Sequence, residues 1–427
     1  MNESFLHFIW QFQYFTKDKL QTTAGQNLQI LRPGRLNNDS GADFQDARIV
    51  IGELEWIGSI EIHLKSSDWY QHTHQNNPAY GNVILHVVWE NDQNITYSDR
   101  TYIPTLELQT LTDKNLLVRY GQFLGSSQTI PCHTQFAGTE SIYKLSMLDK
   151  AMSVRLKEKA EFVSDLFQNS GYDWEETTYK LMAKNFGFHI NAESFFKIAE
   201  RLPLRILKRH RDNLFQLEAL LFGMAGFLEE SPKDEYHCAL QKEYDFLKIK
   251  YGLADKQLLL HEWKFLRLRP SNFPTVRLAQ FARIIQENIN LFSVFLHLDS
   301  LATFKKLLRV EQSSYWQNHY VFGNNSNQKV PVIGLSSVEN LLINTVVPLT
   351  ASYSIQKNEP RFLTKSIRLL EELPAEKNTI SESWKGLGLN IQNAFDSQAG
   401  IKWYKDFCSQ KKCLQCDVGI QIMKKSN

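Results

Sequence analysis

The chain has 427 residues, of which 43% are hydrophobic and 22% are charged. These fractions are typical of a globular protein and exclude wholesale disorder and fibrous repeats. At roughly 150 residues per domain, the length predicts two or three folding units. The 48 basic and 46 acidic residues leave a net charge of +2, so the overall charge does not indicate a nucleic-acid partner. No stretch reaches the roughly 18 consecutive apolar residues of a membrane span, and we expect a cytoplasmic protein without a membrane partner.

Residues 1–125 have the pattern of one helix followed by strands. Apolar residues recur at helical spacing from Phe5 to Phe12, which predicts an amphipathic helix over 3–15. Five β-branched or alternating segments are separated by turn-forming residues, and they predict strands over 28–33, 47–52, 56–65, 83–90 and 102–111. The fourth of these is apolar on both faces, which indicates a strand buried between layers.

From residue 135 onward the sequence is mostly helical. A long helix is predicted from Ser141 to Gly171, and shorter helices are predicted over 173–186, 192–200, 211–229, 235–251, 275–288, 299–309, 337–346 and 360–372. The whole pattern predicts an α+β protein, with an N-terminal mixed β-sheet flanked by helices and then a large, mostly helical domain. We divide the chain into residues 1–125, residues 135–400 and a cysteine-containing C-terminal module, 401–427, packed on the rest.

A row of polar residues follows one face of the predicted strand over 56–65. Glu61, His63 and Lys65 alternate with apolar residues, so all three point to the same side of the sheet. A solvated face of an antiparallel strand would explain such a row without any function. Asp43, however, precedes the neighbouring predicted strand, and this adds a second carboxylate to the row.

Four of the 12 histidines fall within residues 61–86. His86 interrupts the apolar run of a buried strand, where a single hydrogen bond would satisfy a core histidine. His72 and His74 could face one way and bind a metal, but an exposed pair in a loop explains them equally well. If these rings converge with His63 on one ion, a transition metal is the expected occupant.

The spacing of Asp43, Glu61 and Lys65, within the order helix, three strands, helix, strand, resembles the core of the restriction-endonuclease-like, or PD-(D/E)XK, superfamily. The resemblance implies that Asp43 and Glu61 bind Mg²⁺ or Mn²⁺ and that a basic residue positions the attacking water. The chain departs from the superfamily pattern at two positions, because Ala42 stands where a proline is usual and His63 where the lysine is usual. Lys65 or His63 would then assist the water.

Several longer strings extend the resemblance to nearly the whole chain. They are the GxxNxDxGxDF pattern before residue 45, the segment from Gly58 to Trp89, residues 269–282 and the terminal CxxxxCxxC pattern. In these strings the chain is similar to an uncharacterised bacterial family known only as a domain of unknown function. That resemblance identifies relatives and implies no activity.

Three of the five cysteines, Cys408, Cys413 and Cys416, form a C-x4-C-x2-C pattern near the end of the chain. A tetrahedral zinc or iron–sulfur site needs a fourth ligand, for which Cys132 is the first candidate and Cys238 the reserve. Free thiols in a reducing compartment are the alternative. Nucleases that resemble the RecB-like branch of the same superfamily carry an iron–sulfur cluster built from one distant cysteine and three C-terminal ones, although there the distant cysteine precedes the nuclease motif.

Positive charge is concentrated in two helical segments, 201–211 and 263–283. Arg269 and Arg277 are candidates for phosphate contacts, while solvated helix faces balanced by nearby acids explain the same charges without a ligand. The sequence contains no phosphate-binding loop, no dinucleotide fingerprint, no H-E-x-x-H and no G-x-S-x-G motif. Nucleotide hydrolysis, dinucleotide redox chemistry and serine hydrolysis therefore have no support.

The leading hypothesis is a metal-dependent nuclease that hydrolyses phosphodiester bonds in DNA or RNA. Asp43 and Glu61 would bind the metal, and His72, His74 and Arg269 would contact the substrate. One alternative is a catalytically inactive nuclease-like module that binds nucleic acid or protein. Another is a histidine-rich, metal-dependent hydrolase of a small substrate. The nuclease requires Asp43 beside Glu61, whereas the last alternative requires the histidines to lie together.

Overall fold

The computed structural model of the protein describes residues 2–37, 40–288, 290–298 and 300–424. The chain folds into two compact units. The first consists of the chain up to Met147 together with the chain from Trp403 onward, and the second is Leu148–Lys402. The predicted α+β class, with a mixed sheet before a large helical region, is confirmed.

The first unit contains the sheet and the helices that flank it. In chain order its elements are α1 (Glu3–Phe12), β1 (Leu28–Arg32), β2 (Arg35–Leu36), β3 (Phe44–Ile51), β4 (Leu54–Lys65), α2 (Asp68–Gln71), β5 (Val83–Glu90), β6 (Thr105–Glu107), α3 (Lys114–Gly125) and α4 (His133–Phe136). The long helix α5 (Ser141–Asn169) follows and contains the boundary between the units. Prediction placed β5 correctly, but the last predicted strand, over 102–111, is wrong in extent, and α3 was not predicted.

The sheet is mixed, in the order β1-β3-β4-β5-β6, with β2 paired to β3 beside β1. β3 is antiparallel to β1 and to β4, whereas β5 is parallel to β4 and to β6. Two parallel strands cannot be joined by a tight turn. The chain therefore crosses from β4 to β5 through α2 and two 3-10 turns, His74–Asn76 and Pro78–Tyr80. This crossover carries His72 and His74.

Helix α1 packs against β4. The Asn2 side chain accepts a hydrogen bond from the amide of Phe5 and so caps the first turn, where Glu3 also favours the positive end of the helix. The apolar face buries five residues, Phe5, Leu6, Phe8, Ile9 and Trp10. The Trp10 indole donates to the carbonyl of Pro33 at 2.9 Å, which satisfies its one polar group.

Over its described residues, the second unit has helices and one hairpin, β7 (His319–Val321) and β8 (Asn324–Asn325). Its helices are α6 (Trp174–Phe186), α7 (Ala192–Arg201), α8 (Leu204–Lys208), α9 (Leu214–Met224), α10 (Glu235–Tyr251), α11 (Pro274–Glu287), α12 (Leu291–Leu296), α13 (Leu301–Leu308), α14 (Leu335–Leu341), α15 (Val347–Lys357), α16 (Pro360–Glu372), α17 (Thr379–Gly386) and α18 (Ala394–Trp403). The predictions for α10 and α16 are confirmed residue for residue. The helix predicted over 211–229 is shorter in the structure, where it is α9.

The prediction that a helix ends at residue 346 is wrong. A π-helical turn, Leu342–Val346, joins α14 directly to α15. Pro348 has no amide hydrogen to donate, and it lies at the start of α15, where the widened turn accommodates its ring. The helix α17 and its successor α18 also lie beyond the last predicted helix.

The C-terminal segment belongs to the first unit. After α18 come a π-helical turn (Tyr404–Cys408), a 3-10 turn (Cys413–Gln415) and helix α19 (Asp417–Lys424). Helix α19 packs against α3. The Gln421 amide donates to the Glu140 carboxylate at 2.8 Å, and the Lys424 ammonium lies 4.5 Å from the centre of the Phe12 ring. Among the described residues, no helix is long and apolar enough to cross a membrane.

Candidate metal and active site

Two carboxylates, Asp43 and Glu61, lie side by side on neighbouring strands. Asp43 directly precedes β3, and β4 carries Glu61 next to Ile60, the register partner of Phe44. Each acid is fixed by a backbone amide of the other strand. The amide of Asp43 donates to Glu61 Oε2 at 3.1 Å, and the amide of Ile62 donates to Asp43 Oδ2 at 2.9 Å. The pair therefore has the proximity that the nuclease hypothesis requires.

Three histidines converge beside Glu61. The possible ligand atoms of His63, His72 and His74 all lie within 4.8 Å of one another. His63 Nε2 is 3.1 Å from His72 Nδ1, while Glu61 Oε1 is 3.2 Å from His74 Nε2 and 3.6 Å from His63 Nε2. Thr73, with a φ of +58°, makes the turn between the two crossover histidines. The convergence required by the histidine-rich hypothesis is therefore present as well.

These spacings fit the coordination shell of a single ion. With a Zn–N distance of about 2.1 Å, neighbouring ligand atoms of a tetrahedral site are about 3.4 Å apart. The contacts of 3.1 Å and 3.6 Å from His63 Nε2 lie on either side of that value. Imidazole nitrogens suit Zn²⁺ and other transition ions better than Mg²⁺.

His86 orients the central ring of this group. It lies opposite Glu61 in the β4–β5 register, is fully buried, and places its Nε2 2.7 Å from Nδ1 of His63. If His63 donates its Nδ1 proton to His86, the Nε2 lone pair of His63 is free for a metal. The interpretation of His86 as a core histidine held by one hydrogen bond fits this contact.

Helix α1 contributes two residues that sequence reasoning missed, Glu3 and His7. His7 Nε2 lies 3.3 Å from Asp43 Oδ2. Glu3 is half-buried one turn earlier and interacts electrostatically with Asp43 and with Glu61. The available signal was their i, i+4 spacing on an otherwise apolar helix, which puts both side chains on one face.

The electrostatics of the group favour a bound cation. Burial, followed by the charge of Asp43, raises the pKa of Glu61 to about 9, and the same two causes raise the pKa of Glu3. Burial, followed by the neighbouring rings of His74 and His72, lowers the pKa of His63 to about 3. The His63 imidazole is thus held neutral, as a metal ligand must be, while the crowded acids lack a counter-charge.

A family model described as Protein of unknown function (DUF2851) matches residues 3–379. The chain belongs to this family. The prediction of an uncharacterised family is therefore confirmed, and the match ends before the three C-terminal cysteines. Comparison with the curated proteins and with the solved structures gave no match. The resemblance of this DUF2851 member to the PD-(D/E)XK core is not confirmed and stays a prediction.

Three predicted residues lie outside the group. Lys65 is at the exposed end of β4, with its ammonium 3.8 Å from Glu90. Arg269 is an exposed residue of the second unit, just before the 3-10 turn Pro270–Asn272. Arg277 is buried in the second unit, where it donates to Gln280 and lines a cavity of about 250 Å³, and its prediction as a phosphate contact stays a prediction. The roles of Lys65 and Arg269 remain predictions.

Two cavities of the first unit border the group. One, of about 410 Å³, is lined by His7, Asn37, Lys411 and Lys412 among others. The other, of about 770 Å³, is lined by His74 and by four aromatic rings, those of Trp56, Trp69, Tyr80 and Tyr97. The Tyr80 ring stacks on His74 with 3.8 Å between the ring centres. A basic cavity and an aromatic one thus each border the group.

The four cysteines predicted to form a second site, Cys132, Cys408, Cys413 and Cys416, are all buried in the first unit and form no disulfide. Burial, followed by the neighbouring thiols of Cys416, Cys132 and Cys413, raises the pKa of Cys408. The four thiols therefore lie close enough to interact. Cys238, the reserve ligand, is half-buried in the second unit.

Proposed function

We propose that the first unit of this DUF2851 member is a metal-dependent phosphodiesterase that hydrolyses nucleic acid. One observation carries the proposal: the Asp43–Glu61 pair and the three histidines converge, with donor atoms 3.1–3.6 Å apart around His63 and Glu61. In this proposal His63, His72 and His74 hold a transition ion such as Zn²⁺ or Mn²⁺. The Mg²⁺ predicted from the resemblance is the weaker candidate, because it prefers oxygen ligands.

The bound ion would lower the pKa of a water molecule and polarise a phosphoryl oxygen. The protein's own groups do the rest. Glu61 Oε1 lies beside two of the ring nitrogens, where it can accept a hydrogen bond from the attacking water. Asp43 and His7, 3.3 Å apart, can receive the proton that the water loses and hold it away from the reacting phosphate. His86 keeps His63 in the required orientation through its 2.7 Å contact.

The two cavities support nucleic acid as the substrate class. Lys411 and Lys412 are exposed on the His7 side and would attract a phosphate backbone. The rings on the His74 side, of which Trp56 is 40% exposed, offer surfaces on which unpaired bases can stack. A basic cavity and an aromatic cavity that border the same site favour a single strand over a rigid duplex.

A second candidate is hydrolysis of a small substrate by the same site. The observation that favours it is the size of the aromatic cavity, about 770 Å³, which falls in the range of cavities that enclose small ligands. A small phosphodiester would reach the same ion from this cavity and would not need Lys411 or Lys412. Cleavage of a chromogenic phosphodiester without cleavage of any polynucleotide would favour this candidate.

The test is cleavage of labelled single-stranded and double-stranded DNA and RNA by the full chain, with Zn²⁺, Mn²⁺ or Mg²⁺ added after chelation. Glu61→Gln keeps the shape of the side chain, and we expect it to lower the rate by roughly a hundred-fold or more, the usual size of a lost general-base or metal contact. Glu55→Gln, at the exposed start of the same strand, is the matched control and should cleave normally. Full activity in Glu61→Gln, or no metal-dependent cleavage by folded protein, would contradict the proposal.

A further inference from the structure

The second unit contains a buried arginine whose charge has no acidic partner. Arg277 lies on α11 and is 4% exposed. Its guanidinium donates to three neutral side-chain oxygens, those of Gln280 at 2.9 Å, Asn272 at 2.6 Å and Ser337 at 3.1 Å. Its buried Nε has no acceptor, and no carboxylate among the described residues pairs with it. A buried charge is costly to keep unless an opposite charge pairs with it, so Arg277 needs an explanation.

The guanidinium stays charged although it is buried. Burial lowers the pKa of Arg277 to about 10, which is still well above neutral pH. The Phe188 ring partly offsets the missing counter-charge, since the central carbon of the guanidinium lies 4.7 Å from the centre of the ring. A ring face attracts a cation without neutralising it. The site therefore keeps a positive charge that an anion can neutralise.

Arg277 lines a cavity of about 250 Å³ whose walls are mostly apolar. These walls include three aromatic rings and two aliphatic side chains, those of Phe186, Phe188, Phe195, Ile190 and Leu268. Asn272 and Ser337, which accept hydrogen bonds from Arg277, line the same cavity, and no described residue that lines it is acidic. The volume lies just below the range of about 300–1,000 Å³ for drug-sized ligands, so the ligand that fits it is small.

The loop between α6 and α7 holds the aromatic wall in place. Gly187 packs so closely that a Cβ there would lie 2.2 Å from the carbonyl oxygen of Asn191. The next residue, Phe188, has a left-handed φ of +51°, a strained conformation of the kind that is concentrated at binding sites. The Asn191 side chain exchanges two hydrogen bonds of 2.9 Å with the backbone of Lys264, which fixes the segment that leads to Leu268. The wall is thus positioned by the protein itself.

The polar side chains of the cavity present donors. Asn272 and Ser337 use their oxygens to accept from Arg277, which leaves the Asn272 amide and the Ser337 hydroxyl to donate to a ligand. Pro274, the first residue of α11, also lines the cavity, so the positive end of this helix adds to the attraction for an anion. A carboxylate accepts hydrogen bonds and donates none, which suits this set. A phosphate has more charge and more oxygens, and the apolar walls would leave several of them unpaired.

We propose that this cavity binds a small organic acid, with one carboxylate on an aromatic or branched aliphatic body. The carboxylate pairs with Arg277 and accepts hydrogen bonds from Asn272 and Ser337. The apolar body packs among the phenylalanine rings. The inference concerns the second unit alone, and it does not depend on the phosphodiesterase activity proposed for the first.

The experiment is isothermal titration calorimetry of the full chain with phenylacetate and isovalerate, each beside its neutral amide. We expect both acids to bind and each amide to bind at least roughly ten-fold more weakly, because it lacks the charge that pairs with Arg277. Arg277→Gln should weaken the binding of phenylacetate by at least roughly ten-fold, and Ser337→Ala should weaken it several-fold. Arg283→Gln changes an arginine of the same helix that does not line the cavity, so this matched control should bind normally.

Three results would overturn the assignment. Binding of neither acid at millimolar concentrations would mean that the cavity is no carboxylate site. Equal affinities for the acids and their amides would mean that the charge of Arg277 takes no part, and tighter binding of phenyl phosphate than of phenylacetate would make the cavity a phosphate site. If Arg277→Gln does not fold, Ser337→Ala and the comparison of acids with amides decide the question on folded protein.

Discussion

The first unit contains two groups of potential metal ligands that differ in donor type and access. The histidine–carboxylate group offers nitrogen and oxygen atoms 3.1–3.6 Å apart, and two of its histidines, His7 and His74, each line a cavity. The cysteine group offers sulfur atoms, and all four residues are less than a tenth exposed. Neither of those two cavities is lined by any of the four cysteines.

This difference suits the first group to catalysis and the second to holding the fold together. Catalytic metal centres keep a coordination position open to substrate, whereas structural centres are closed by protein ligands. His72 is exposed and the aromatic cavity reaches His74, so the first group can admit a substrate. The four cysteines are buried, and they come from two distant parts of the chain. Removing a ligand from each group should therefore have opposite consequences.

The largest expected effect is on activity. We expect His63→Gln to lower metal-dependent cleavage by roughly a hundred- to a thousand-fold, because it removes a ligand and the ring that His86 orients. The variant should melt within a few degrees of the native protein. Cys413→Ser should keep most of the cleavage activity but have a strongly lowered Tm. Cleavage rates and melting curves of the two variants, measured side by side, test this contrast. A variant that loses activity and thermal stability to the same extent would contradict it.

The next effect concerns stability and pH in the metal-free protein. The pKa of Glu61 is raised to about 9 in the folded chain, so its carboxyl group stays protonated there up to about that pH. In the unfolded chain the same group loses its proton above about pH 4.5. Folding stability should thus fall as pH rises from about 4.5 to about 9. Glu61→Gln removes this loss, and we expect it to be more stable than the native chain at pH 8, by on the order of a kcal/mol or more. Equal stability of the two at pH 8, with chelator present, would contradict the raised pKa.

Much of the fold followed from local pattern. The strand β5 and the helices α10 and α16 were predicted with correct ends, because apolar periodicity and turn-forming neighbours mark them in the sequence. The helix α15 was missed because Pro348 resembles a terminator when the π-helical turn that accommodates it is not known. The short β6 lost most of its predicted length, since pairing with β5, a tertiary contact, sets where it ends.

The candidate site was predictable only in part, for a similar reason. Glu61 and His63 share a face of one strand by simple alternation, and Asp43 stands before the neighbouring strand. The convergence of His72 with His74 depends on the left-handed turn at Thr73, which the sequence does not specify. The approach of His7 to Asp43 depends on how α1 packs on β4, and such long-range packing leaves no local pattern.

His86 should have a smaller effect than the ligands it supports. We expect His86→Gln to weaken Zn²⁺ binding by roughly ten- to a hundred-fold, the usual cost of losing the partner that orients a ligating imidazole. Competition with a chromophoric chelator measures the affinity. An unchanged Zn²⁺ affinity would mean that the 2.7 Å contact with His63 does not orient the ligand.

The smallest effect should come from the basic cavity. Replacing both Lys411 and Lys412 with glutamine should raise the KM for a polynucleotide several-fold and flatten its dependence on salt, because two phosphate contacts are removed. The kcat should stay close to that of the native protein, since neither lysine lies in the metal group. Lys65→Gln, which removes an exposed lysine paired with Glu90, tests whether this predicted catalytic residue takes part. An unchanged KM in the double variant would contradict the assignment of substrate binding to the C-terminal loop. A fall in kcat in Lys65→Gln would contradict the assignment of water activation to the histidine–carboxylate group.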